Sequence, residues 1–123
     1  MIKTVLLVLL AGLLGGTGHV LLAKAMKTVG DLTEAPAAHV GGMVVRALTN
    51  PWLVVGVALQ ASFFVLYLTL LSRADVSKVL PMTAVDYIVV AILAQLILAE
   101  PVTPARWTGI GFIVAGVFLV SRT

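Results

Sequence analysis

The chain has 123 residues, of which 61% are hydrophobic and 11% charged, with a formal net charge of +3 and no cysteine. That length leaves room for one domain and none for a soluble catalytic module, and the absence of cysteine excludes a disulfide framework and thiol chemistry. The basic residues stand singly near the ends of apolar runs, the pattern of headgroup anchors, which argues against a nucleic-acid partner.

Four apolar runs, Thr4–Ala23, Trp52–Leu71, Val79–Ala99 and Trp107–Val120, account for most of the sequence. About 20 such residues cross the ~30 Å hydrocarbon core of a bilayer as a helix. The expected fold is therefore an all-α integral membrane protein, a single four-helix transmembrane domain over residues 1–123. Its spans are expected at about 4–26, 52–72, 79–99 and 105–121, with membrane lipids as the solvent. The start resembles a signal peptide, but the apolar run continues past any plausible cleavage point and reads as a retained first helix.

The first span carries Gly12, Gly15, Gly16 and Gly18, a density that lets helix backbones approach closely in a membrane. Lys24 and Lys27 mark its exit. The connecting segment 28–50 contains Gly30, Asp31, Thr33 and Pro36, which break structure. Its second half, Ala37–Leu48, places Val40, Met43, Val44, Ala47 and Leu48 on one side. It reads either as a short interfacial helix or as a loop over the headgroups. Asn50, Pro51 and Trp52 open the second span as cap, first-turn proline and interfacial aromatic. Pro81 lies early in the third span and is expected to kink it. Pro101 and Pro104 interrupt the chain before the fourth span. There, Gly109 and Gly116 are seven residues apart and share one face, a candidate dimer seam.

Lysines and arginines divide four against four between the two ends: Lys3, Arg73, Lys78 and Arg122 opposite Lys24, Lys27, Arg46 and Arg106. Orientation follows the bias in this count, and there is none, so insertion in both directions and an antiparallel dimer are compatible with the sequence.

Ionisable and amide side chains inside spans are candidates for function. Asp86 is expected roughly 11 Å into the third span, as a proton or cation site, a contact to a polar substrate group, or a structural ion pair or hydrogen bond, with Tyr87 one possible partner. His19 lies about 22 Å along the first span and is either a titrating group, a ligand contact or a neutral interhelical hydrogen bond. Gln60 and Gln95 either line a polar cavity or join helices. Lys24 is an interfacial anchor or, if it faces a cavity, a grip for phosphate. No nucleophile set, metal-ligand spacing or phosphate loop is present, so neither an enzyme nor a cofactor or metal is expected.

The chain resembles the four-helix branch of the drug/metabolite transporter superfamily, which includes EamA-like half-size proteins and small multidrug resistance proteins. The resemblance rests on Leu71-Ser72-Arg73-Ala74-Asp75-Val76-Ser77, Pro81, Leu98-Ala99-Glu100, Arg106-Trp107-Thr108-Gly109 and Ala115-Gly116-Val117. Gly18-His19-Val20-Leu21-Leu22-Ala23-Lys24 matches the pattern of the first helix. It implies a dimeric transporter working by alternating access, a homodimer or a heterodimer with a similar subunit, in a bacterial inner membrane. The multidrug branch uses a glutamate in its first helix, whereas here no acidic residue precedes Asp31 and His19 falls near that position. Val79 and Met82 occupy the region where that branch places aromatics. The branch that flips undecaprenyl-phosphate-linked sugars also lacks the glutamate, which implies an amphiphilic, lipid-linked substrate with Asp86, His19, Gln60 and Lys24 as headgroup contacts. The alternatives are a proton-coupled exporter of small cations and a non-transporting subunit of a glycosyltransferase or transporter complex.

Overall fold

A computed structural model describes residues 2–123. It contains α1 (Ile2–Val29), α2 (Ala37–Thr49), α3 (Pro51–Leu71), α4 (Val76–Thr83), α5 (Asp86–Ile97) and α6 (Pro104–Ser121). Four segments are long and apolar enough to cross a membrane: α1, α3, the pair α4–α5 and α6. The chain is an integral, multi-pass membrane protein.

The local signals act as their chemistry requires. Asn50 caps α3, its Oδ1 accepting from the Trp52 N–H at 2.9 Å, with Pro51 in the first turn. Thr103 caps α6 through the Arg106 N–H, ahead of Pro104. Segment 37–49 forms a helix, with Met43 and Ala47 buried against Val29 and neighbours from α1 and α3. Val44 and Leu48 face outward. In the turn before it, Asp31 Oδ1 accepts from the Thr33 hydroxyl at 2.6 Å and from its backbone N–H at 2.8 Å, holding the Asp31 carboxyl below the usual carboxylate range.

The third span starts at Val76, three residues before the expected boundary, and is broken in the middle. Pro81 supplies no N–H to the helix. Downstream, the Ala84, Val85 and Tyr87 N–H groups bond to Pro81, Met82 and Ala84, each three residues back. This tightened turn separates α4 from α5. Asp86 is the first residue of α5 and the eleventh of the 22 residues in the span. It is therefore about 15 Å from the start of the span, deeper than the sequence alone placed it.

The hub of the fold is α1. Its two flanks carry α3 and α5, and glycines line both seams. A Cβ at Gly16 would lie 2.8 Å from Val89 Cγ1 and 3.2 Å from the Asp86 carbonyl oxygen. A Cβ at Gly18 would meet the Gly56 carbonyl oxygen at 3.2 Å, and Gly56 itself lies against Leu22. By contrast, α6 packs on α4 and contains no buried residue, and a Cβ at Gly109 or Gly116 would have nothing within 4 Å.

Gly16→Ala therefore overpacks the α1–α5 seam and is expected to cost about 1–3 kcal/mol. Gly109→Ala should leave the stability of the single chain unchanged. Unfolding of the two variants in mixed micelles checks the difference.

Candidate functional site

Three of the polar residues picked out in the sequence meet at mid-depth. Gln60 is the tenth of 21 residues in α3 and Asp86 lies at the middle of the α4–α5 span. His19, on α1, reaches both. Gln60 Nε2 donates to the Gly15 carbonyl oxygen at 3.1 Å and lies 3.1 Å from His19 Nδ1. His19 Nε2 stands 3.6 Å from Asp86 Oδ2. The result is a polar chain across three helices, α3 to α1 to α5.

The geometry orders the protons. An amide nitrogen only donates, so His19 Nδ1 accepts from Gln60 and the proton of the neutral ring belongs on Nε2, facing Asp86. The two sides of the imidazole are thus assigned different tasks: one is fixed to α3, the other turned to the carboxyl group. Asp86 also sits in the first turn of α5, where the positive end of a half-helix dipole favours an anionic side chain.

Access is one-sided. The Asp86 side chain is 9% exposed, whereas that of His19 is 51% exposed. The cluster therefore lies where α1 packs against α3 and α5, and of the His19–Asp86 pair it is His19 that reaches the surface.

The other candidates fall outside this cluster. Lys24 Nζ lies 4.2 Å from the centre of the Trp52 ring, at the level where α3 begins. Gln95 is exposed, and nine residues of helix rotate it to the side of α5 opposite Asp86. Tyr87, 48% exposed, borders a separate shallow groove between α5 and α6 with Glu100 and Arg106. Sequence reasoning singled out neither the Lys27–Glu100 ion pair, at 3.4 Å, nor the left-handed Ala99 (φ 54°) beside Glu100. Among the described residues, no group of three or more His, Cys, Asp or Glu side chains could hold a metal ion.

Residues 34–122 match the EamA-like transporter family, nearly three quarters of the sequence. The chain belongs to that family. Its members are transporters, so this is a membrane transport protein rather than an enzyme. Among similar proteins is a probable 4-amino-4-deoxy-L-arabinose-phosphoundecaprenol flippase subunit, ArnE, of Pseudomonas savastanoi pv. phaseolicola. It is 32% identical over 79 residues, which cover 64% of this chain and 69% of the relative. The protein of the same description from Pseudomonas syringae pv. syringae is 33% identical, covering 64% and 71%. That from Escherichia coli K12 is 31% identical over 72 residues, covering 58% and 65%. No solved structure matches. The family match begins at residue 34, so Gln60 and Asp86 lie within it and His19 before it.

In ¹⁵N NMR of the neutral His19 ring, Nε2 is expected to carry the proton. Gln60→Leu removes the donor to Nδ1 and should leave the two tautomers mixed. An Nδ1–H ring in the unaltered protein would overturn the proton order.

Proposed function

We propose that the protein is one half of a dimeric flippase of the bacterial inner membrane, moving an undecaprenyl-phosphate-linked sugar across the bilayer. The observation that carries this reading is the polar cluster of His19, Gln60 and Asp86 at mid-depth, nearly buried at Asp86 and half exposed at His19. A polar cluster exposed at His19 offers hydrogen-bond partners to a polar headgroup while a hydrocarbon tail stays in lipid. The similar proteins support the substrate class, since their descriptions name an amino sugar on a polyprenyl phosphate. An ammonium group on such a sugar is a natural partner for the Asp86 carboxylate, with His19 and Gln60 available to its hydroxyls.

A second chain completes the unit. The word "subunit" in the relatives' descriptions supports an assembly. So does α6, whose outward face carries Gly109 and Gly116. Small residues on such a face let a partner helix approach closely in lipid. A partner seated there, whether a second copy or a similar four-helix subunit, would complete the unit. Rocking of one half against the other around the cluster then alternates its access between the two faces.

In proteoliposomes, flipping of an amino-sugar polyprenyl phosphate is read by exposure of its amine to an impermeant reagent. Asp86→Asn should slow it at least tenfold, the loss of one charge-assisted contact, and Asp86→Glu should retain most of it. Unchanged flipping in Asp86→Asn would make that residue structural and remove the basis of the reading.

Gly116→Leu tests the seam independently. The single chain has space for the new side chain, so its fold should persist while native mass spectrometry finds the dimer lost. A dimer as stable as before would move the interface elsewhere.

A further inference from the structure

At the end of the bundle that carries the chain's first residues, a cavity of about 370 Å³ opens between α1, α3, α4 and α6. Its floor is apolar, with Val8 and Met82 among the buried residues beneath it. Arg73 and Lys78 line it, and neither has a carboxylate within 4.0 Å among the described residues. Two hydroxyls also face it. The Ser121 hydroxyl donates to the Phe118 carbonyl oxygen at 2.7 Å, so its proton is already committed. Thr4 makes no side-chain hydrogen bond among the described residues. The only acidic residue at this end is Asp75, just before α4.

A second cavity, of about 220 Å³, continues inward from the first and shares Val5, Val8, Met82 and Ser121 with it. Its remaining walls are apolar: Leu9 from α1, Val85, and Val114, Val117 and Phe118 from α6. The trough thus runs from the cationic mouth to Val85, the neighbour of Asp86. Cations at the bundle end and a hydrocarbon trough running toward mid-depth match one kind of molecule, a lipid with an anionic head and a single long chain.

We propose that this mouth binds the phosphate of a polyprenyl-phosphate lipid, with Arg73, Lys78 and Thr4 donating to the phosphate oxygens and the first isoprene units lying in the α1–α6 trough. The proposal deepens the flippase reading and rests on it for the choice of lipid. It assigns the phosphate to the end of the bundle opposite Lys24, whose ammonium lies over Trp52. It places the phosphate site apart from the His19–Gln60–Asp86 cluster. From Lys78 to Asp86 is eight residues along the α4–α5 span, about 12 Å of helix rise.

The test uses the full chain, purified in detergent, where the orientation set by Lys/Arg balance has no influence. Native mass spectrometry measures retention of undecaprenyl phosphate, undecaprenol, phosphatidylglycerol and inorganic phosphate. The expected result is that undecaprenyl phosphate binds most tightly and that Arg73→Gln with Lys78→Gln weakens it about 100-fold, tenfold per charge. Undecaprenol should bind both proteins alike, which shows that the trough is intact. The charge-keeping exchange of Arg73→Lys with Lys78→Arg should retain binding. Arg46→Gln with Arg106→Gln, at the other end, should leave it unchanged.

The proposal is overturned if the Arg73/Lys78 double variant binds undecaprenyl phosphate as the unaltered protein does, or if the opposite-end variant loses as much. Phosphatidylglycerol binding equally well would make the mouth a general site for anionic lipid. Displacement by inorganic phosphate at equal concentration would make it a site for the free ion. Flipping assays separate this proposal from the one before: lipid retained through Arg73 and Lys78 without flipping leaves this site standing and removes the flippase reading.

Discussion

The close approach of α3 and α5 to α1 is the constraint on which the rest of the structure depends. Lipid offers no hydrophobic force to press helices together, so their association relies on packing and on interhelical hydrogen bonds. Gly12 and Gly16 bring α5 in, and Gly15 and Gly18 bring α3 in. Helices separated by larger side chains sit 8–10 Å apart on axis, and a histidine between two of them would reach at most one short partner. With glycines on both flanks, His19 reaches Gln60 on one side and faces Asp86 on the other. The same seams that hold the bundle together therefore build the polar cluster, and a mutation in either seam acts on both.

The membrane accounts for most of what the remaining polar groups do. Hydroxyls in or near the spans return to carbonyls of their own helix: Ser62 to Ala58, Thr69 to Val65 and Thr108 to Pro104. Such bonds satisfy the side chain without a partner helix. His19, Gln60 and Asp86 are the exceptions, since their partners lie on other helices. The break in the third span adds to this. Irregular backbone at membrane depth persists where protein or a cavity shields it, and the break after Pro81 presents Asp86 at the start of a half-helix, against α1.

How much of this the sequence revealed follows from what an apolar pattern can encode. The apolar runs, the Asn50-Pro51 and Thr103-Pro104 helix starts and the glycine-rich first span are local features and are legible in the chain. Asp86, His19 and Gln60 each stand out because a polar side chain in lipid is costly. Their meeting was not legible. In spans that are apolar on every side, helical periodicity says which residues share a face but not which face meets which neighbour. For the same reason Gln95 and Tyr87 looked equivalent to the three that converge. Arg73 and Lys78 posed a different difficulty. A cation at the end of a span gives the same sequence signal whether it lies over headgroups or over a cavity, and the cavity here is made by four separate helices.

The two ends of the bundle are built differently, and that difference bears on how such a protein would work. At one end, Lys27 of α1 meets Glu100 in the loop between α5 and α6 at 3.4 Å. Glu100 is carried there by Ala99, which turns through a left-handed conformation so that the Glu100 N–H returns to the Ala94 carbonyl oxygen at 3.1 Å. Both side chains are partly exposed, so the pair adds little to stability. A weak, exposed tie across the ends of α1 and α5 suits a contact that must break in each cycle. At the other end no such tie is found among the described residues, and a cavity there has Arg73 and Lys78 at its mouth without a carboxylate within 4.0 Å among those residues. Under the flippase reading this arrangement is a state closed at the Lys27–Glu100 end and open to the Arg73–Lys78 end. Under the same reading a second subunit completes the transporter, and the half-exposed His19 is where the polar cluster can be reached from outside this chain.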